Sequence, residues 1–122
     1  MRVLLVEDDA AIRELYITAL ETAGLTVHAA TTGLDGVELA FAHHPSIILM
    51  DVMLPDISGH AAVEKIRDDR WGKDAKIIFL TNRDDAEGIS DAVAAGSEEY
   101  IIKVHTSPKE LVNKVRTIAN AT

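Results

Sequence analysis

Four stretches of this chain place acidic, hydroxyl or ammonium groups directly behind runs of large apolar residues. Glu7-Asp8-Asp9 follow Val3-Leu4-Leu5-Val6, and Asp51 follows Ile47-Ile48-Leu49-Met50. Thr81 follows Ile77-Ile78-Phe79-Leu80, and Lys103 follows Tyr100-Ile101-Ile102. Each group has a plain explanation alone: an acid after a strand caps the next helix, as Asp9 is expected to do, and Thr81 and Lys103 are a strand-end hydroxyl and a solvated lysine. Asp51 is harder to dismiss, because an unpaired charge at the end of a buried run is costly. Gathered in one cleft, Glu7, Asp8 and Asp51 repel one another; two unit charges 4 Å apart interact by about 4 kcal/mol at an effective dielectric near 20. A divalent cation turns that repulsion into attraction, and an oxygen-only donor set with room for water suits Mg²⁺.

The elements needed to bring these groups together are legible. Unbroken apolar runs suit strands covered by helices on both faces, and they alternate with amphipathic stretches in the pattern of βαβ units. Two more mixed runs, around Thr26–Ala30 and Glu98–Ile102, are placed at the sheet edges. Five helix candidates lie between. The first follows Asp9, carries Ile12, Leu15, Tyr16, Ala19 and Leu20 at helical spacing, and ends near Gly24. The second opens at Thr32 and runs towards Pro45, the third starts at Ser58, and the fourth runs from Asp84-Asp85 to Gly96. The fifth has Ser107 as N-cap, Pro108 at its first position and Glu110 at its third, a capping box. The expected architecture is a (βα)5 doubly wound, flavodoxin-like parallel sheet of five strands in order 2-1-3-4-5, a single domain over residues 1–122. In such sheets ligands sit outside the carboxyl ends of the strands, where all four polar groups fall.

Bulk properties remove other classes. The 122 residues are enough for one domain with a real core. With 20 acidic and 12 basic residues the net charge is −8, which gives no basic footprint for nucleic acid and repels anionic membranes. No apolar run approaches the 18 or so residues that span a bilayer, the start does not read as a signal peptide, and there is no cysteine. The expected location is the cytoplasm.

The full set of residues resembles the receiver domains of two-component response regulators, over essentially the whole chain. The matching features are Val6-Glu7-Asp8, then Asp51 followed by Val-Met-Leu-Pro-Asp-Ile-Ser-Gly, Thr81 30 residues later, Lys103 52 later, and Tyr100 three before that lysine. The resemblance implies that Asp51 is the phosphoacceptor and that Asp8, Asp51 and the backbone carbonyl of Met53, with Glu7 directly or through water, hold Mg²⁺ or Mn²⁺. It implies that Thr81 and Lys103 contact phosphoryl oxygens and that Thr81 and Tyr100 form the switch. The donor would be a phosphohistidine on a sensor histidine kinase or histidine phosphotransfer protein, or a small acyl phosphate. The product would bias the face made by the fourth helix, fifth strand and fifth helix, and through it an output domain or target protein the sequence does not identify. No turnover of an external substrate is expected. The departures are Asn82, where the family usually has a small residue, and Val104, where it usually has a proline after a cis bond. A cis bond before a non-proline costs about 2.5–4 kcal/mol, so a trans bond and a rerouted loop are expected there.

Competing functions are a pseudo-receiver, an interaction module with this fold but no phosphorylation, and a flavodoxin-like carrier. The carrier would want a phosphate-cradling loop after the first strand, where Glu7-Asp8-Asp9 repel phosphate. A phosphatase-like hydrolase would want a second acid two residues after its nucleophile, and Met53 stands there. Among the other candidates, His43-His44 are not expected to bind metal. His28, His60 and His105 are expected to be isolated and solvated, and Trp71 to be a partial cover for the core at the end of the sheet away from Asp51. The stretch from Asp84 to Ala95 has no Lys or Arg, which disfavours dimers paired through charged residues on the fourth helix.

Overall fold

The computed structural model describes residues 1–82, 99–103 and 106–120. Its strands are β1 (Arg2–Val6), β2 (Thr26–Ala30), β3 (Ile47–Asp51), β4 (Ile77–Thr81) and β5 (Glu99–Ile102). Its helices are α1 (Ala10–Thr22), α2 (Gly33–His43), α3 (Gly59–Arg67) and α4 (Pro108–Ala119), with a short 3-10 turn at Gly72–Asp74. All strand pairs are parallel, in the order β2-β1-β3-β4-β5. This is the doubly wound, flavodoxin-like sheet expected from the sequence, and α4 is its fifth helix candidate. The fourth candidate, from Asp84 to Gly96, lies outside the described residues, as do Val104 and His105.

The strands alternate their side chains between two cores with the period of two that a pleat imposes. Val3, Leu5, Ile47, Leu49, Ile78, Leu80 and Ile101 face α1 and α4, where they meet Tyr16, Leu20, Leu111 and Val115. Leu4, Val6, Ile48, Met50, Ile77 and Phe79 face α2 and α3, against Val37, Ala40, Ala62, Val63 and Ile66. Each fully buried aliphatic or Phe side chain contributes about 1.5–3 kcal/mol, so the three central strands, buried on both faces, anchor the sheet. The edge strand β2 has a mixed burial pattern, as its composition foretold.

Each of the four described α-helices starts from a side-chain cap. Asp9, Thr32, Ser58 and Ser107 accept the backbone N–H groups of Ile12, Asp35, Ala61 and Glu110, and Glu110 completes the capping box by accepting the Ser107 N–H. Two glycines are there for space. A Cβ on Gly36 would stand 2.6 Å from Val6 Cγ2, and one on Gly59 2.1 Å from the Asp51 carbonyl oxygen. A glycine inside a helix costs up to about 1 kcal/mol relative to alanine; at Gly36 that cost lets α2 seat on β1, and Gly59 lets α3 begin against the backbone of Asp51.

Trp71 packs partly buried on the α2/α3 core and stacks on His44, ring centroids 4.4 Å apart, so the expectation of a partial core cover holds. The expectation that His28 and His60 are isolated and solvated does not. His28 on β2 stacks on His43 in the last turn of α2 at 3.9 Å. His60 lies against Phe79, and its Nε2 is buried with no hydrogen-bond partner among the described residues. Both contacts join residues on different elements, which local spacing cannot reveal.

Candidate functional site

Three of the predicted residues converge in one ionic cluster at the carboxyl ends of β1 and β3 and just beyond β5. The pleat explains why. Glu7, Asp51 and Lys103 are each two residues past a side chain directed to the α1/α4 face, namely Leu5, Leu49 and Ile101. Lys103 Nζ donates to Glu7 Oε1 at 2.5 Å and to Asp51 Oδ2 at 2.9 Å. All three side chains are almost fully buried, with 0% of Glu7, 5% of Lys103 and 7% of Asp51 exposed. The remaining carboxylate oxygens accept backbone N–H groups, Glu7 Oε2 from Asp9 and Asp51 Oδ1 from Met53.

Asp8 is exposed and completes an acidic group. Glu7, Asp8 and Asp51 each offer a carboxylate oxygen, all within 4.8 Å of one another. Carboxylates are hard oxygen donors, and an exposed member leaves space for water, so the set fits a cation of the Mg²⁺ type. Met53 stands two residues past Asp51 with an exposed side chain. Thr81 closes β4 opposite Ile102 of β5 and is half-buried. Its side chain follows the parity of Phe79 towards the α2/α3 face, and Tyr100, half-buried, packs on that same core. Thr81 and Tyr100 therefore share a face, on adjacent strands. Asn82 is exposed.

Two contributors were not visible in the sequence. Arg13 on α1 donates to the carbonyls of Glu7 and Asp8 at 3.0 and 3.3 Å, pinning the backbone that presents both acids. Its one sequence signal is a cation one helical turn after Asp9, which reads as an ordinary solvated face. Tyr16, read only as part of an apolar stripe, is buried behind the cluster. Its hydroxyl is held above the ordinary tyrosine range, chiefly by burial.

The charge balance of the cluster is uneven. Glu7 is pushed up from 4.5 to about 7, first by burial and then by the hydrogen bond to Asp51 and its charge, with Lys103 and the Asp9 N–H pulling it back. Burial opposes the charge of Lys103, but the bonds to Glu7 and Asp51 outweigh it and hold its pKa above the ordinary lysine value. As pH falls through about 7, Glu7 takes up a proton and the Lys103 ammonium faces one charged partner fewer.

A stability prediction follows with a definite sign. The folded-state pKa of Glu7 is raised, so its contribution is complete below about 4.5 and is lost as pH rises through about 7. That interval corresponds to about 3 kcal/mol. In EDTA, urea unfolding of wild type should lose about this much relative to Glu7→Gln between pH 5 and pH 8. The difference between the two proteins is the readout, because every other titratable group is common to both. Parallel pH profiles for the two would overturn the assignment.

Residues 3–116 match the family model for the response regulator receiver domain. A probable transcriptional regulator, ycf27 of Guillardia theta, is 31% identical over 121 residues, covering 99% of this chain and 46% of the relative. The chain spans about half the length of the curated relatives it matches. A putative response regulator from Chloroflexus aurantiacus superposes with a TM-score of 0.91 at 28% identity, covering 98% of both chains. The receiver domain of the Pseudomonas aeruginosa sensor histidine kinase PA1611, solved with a magnesium ion coordinated in its active site cleft, superposes with a TM-score of 0.90 at 27% identity, again over 98% of both. With the family model spanning nearly all of the sheet and the ionic cluster at its rim, the chain belongs to the receiver domain family of two-component response regulators.

Proposed function

We propose that residues 1–122 act as one phosphorylatable switch in which Asp51 accepts a phosphoryl group. The observation that carries this reading is the position of the Asp51 carboxylate, nearly buried at the end of β3 with Lys103 Nζ 2.9 Å away and two further acids beside it. Glu7, Asp8, Asp51 and the Met53 carbonyl would hold Mg²⁺ or Mn²⁺. Bound there, the ion supplies positive charge against the phosphoryl oxygens, on which the transition state places most of its negative charge.

The chain's own residues do the rest. An Asp51 carboxylate oxygen attacks phosphorus in line. The bond from phosphorus to the leaving oxygen of an acyl phosphate, or to the leaving nitrogen of a phosphohistidine, breaks, and the leaving group keeps the electron pair. The Met53 N–H on Oδ1 fixes the rotation of the nucleophile. Lys103 exchanges its bond to Asp51 for one to a phosphoryl oxygen, which its flexible stem and point charge allow. The Thr81 hydroxyl donates to another. Because Thr81 and Tyr100 lie on the same face, the pull on Thr81 would free space for Tyr100 to move inward, a shift between pre-existing states.

The phosphoryl donor in this reading is a sensor histidine kinase or histidine phosphotransfer protein. The receiver turns over no external substrate, works in the cytoplasm, leaves nucleic acid to other domains, and hands its signal to an output domain or target protein. Among the described residues no helix is long and apolar enough to cross a membrane. The test is intact-mass measurement after incubation with acetyl phosphate and MgCl₂. One phosphoryl group should be gained, and Mg²⁺ alone at millimolar concentration should raise the melting temperature by mass action. A protein that gains no mass and melts identically with and without Mg²⁺ would be the interaction module instead.

A further inference from the structure

The loop of residues 52–58, between β3 and α3, carries the Met53 carbonyl, and its two ends are closed by backbone bonds. Val52 N–H donates to the Leu80 carbonyl and Gly59 N–H to the Val52 carbonyl, both at 2.9 Å. The tip is tied elsewhere. Asp56 reaches across to the amino end of α2, where Oδ1 accepts the Gly33 N–H at 2.8 Å and Oδ2 the Leu34 N–H at 2.9 Å. Thr32 Oγ1 accepts the next N–H, of Asp35, at 3.2 Å. The first three donors of α2 are thus divided between its own cap and a side chain from the loop beside Asp51.

The contact is close as well as polar: a Cβ on Gly33 would stand 2.6 Å from Ile57 Cγ1. The Asp56 carboxyl is held below the ordinary aspartate range, first by the Leu34 N–H and then by those of Gly33 and Ile57. It therefore stays charged against the positive end of the helix. Leu54 and Ile57 also rest on the α2/α3 core, but apolar contacts tolerate sliding, whereas a carboxylate gripping two N–H groups fixes position along the loop.

We propose that Asp56 is a positioning residue: by clamping the tip of the 52–58 loop to the first turn of α2, it sets where the Met53 carbonyl stands relative to Glu7, Asp8 and Asp51. This rests on the metal-binding part of the function proposed above. Outer partners of metal ligands commonly account for 10–100-fold in affinity. By reciprocity, the order of the α2 amino end should depend on whether the cation is bound.

The experiment compares wild type, Asp56→Ala, Asp56→Asn and Thr32→Ala. Thr32→Ala removes a cap from the same helix but leaves the loop untouched. Calorimetric titration with MgCl₂ and amide hydrogen exchange of Met53 and Gly59 in EDTA are the readouts. Asp56→Ala should bind Mg²⁺ roughly tenfold more weakly and exchange both amides faster. Asp56→Asn, which keeps one good acceptor, should fall between, and Thr32→Ala should match wild type in both. Asp56→Ala with wild-type Mg²⁺ affinity and exchange, or Thr32→Ala reproducing its defects, overturns the proposal. A wild type indifferent to Mg²⁺ overturns Asp56's role towards the metal. Faster Met53 exchange in Asp56→Ala alone would then show that the metal reading failed and the clamp did not.

Discussion

Asp51→Asn should gain no phosphoryl group from acetyl phosphate and Mg²⁺ over a period in which wild type is fully converted, and its metal-free fold should be at least as stable as wild type. The first half follows from chemistry: an amide oxygen carries no formal charge and is a poor nucleophile towards phosphorus. The second follows from the cluster. The Asn oxygen can still accept from Lys103 or from Met53 N–H, and Lys103 keeps its 2.5 Å bond to Glu7. The charge of Asp51 is also among the causes that raise the pKa of Glu7, so its removal lets Glu7 ionise as the sole partner of Lys103. One carboxylate and one ammonium then replace two acids crowded on one ammonium. Loss of labelling cannot therefore be ascribed to unfolding, which is why intact mass and urea unfolding belong in the same experiment. Equal labelling of the two proteins would remove Asp51 as the acceptor. Peptide mapping would then show whether exposed Asp8 had taken its place.

The parts of this molecule that could be read from the sequence are those whose causes are local. Unbroken apolar runs specify strands covered on both faces, and Asp9, Thr32, Ser58 and Ser107 declare helix starts because a cap bonds only two or three residues ahead. The convergence of Glu7, Asp51 and Lys103 was also foreseeable. A parallel sheet brings strand ends to one rim, and the parity of the pleat sends those three to one face. What stayed hidden is set by pairings far apart in sequence. Arg13 looks like any solvated helical cation until the chain folds its guanidinium onto the carbonyls of Glu7 and Asp8. Asp56 looks like a turn residue until α2 is laid beside the loop. His28 and His43 gave no sign of stacking, because nothing in their neighbourhoods specifies which strand edge meets which helix end. The cis or trans state before Val104 lies outside the described residues.

Lys103→Ala should be the most destabilising single change at the site. Removing one partner of a buried ionic group leaves uncompensated charge, at a cost of about 3–5 kcal/mol, and here two carboxylates share the one ammonium. The loss should be read by urea unfolding at pH 8 in EDTA, where Glu7 would otherwise be ionised. It should shrink on acidification, because without Lys103 nothing but the Asp9 N–H opposes the raised proton affinity of Glu7, and protonating Glu7 removes one of the uncompensated charges. It should shrink also in Lys103→Ala/Glu7→Gln, where one charge is gone, and on adding Mg²⁺, which offers the acids a different counter-charge. Two of these rescues need no metal, so the electrostatic account stands or falls apart from the cation site. The backbone on either side of Lys103 is not invoked: Ile101 and Ile102 pack within β5, and a lysine-to-alanine change leaves them in place. A loss of less than about 1 kcal/mol, the range of solvent-exposed ion pairs, would mean that the ammonium is not the element holding Glu7 and Asp51 together. The same would follow from a full-sized loss that neither low pH nor Glu7→Gln relieves, for then packing of the lysine stem, rather than its charge, would be what the site depends on.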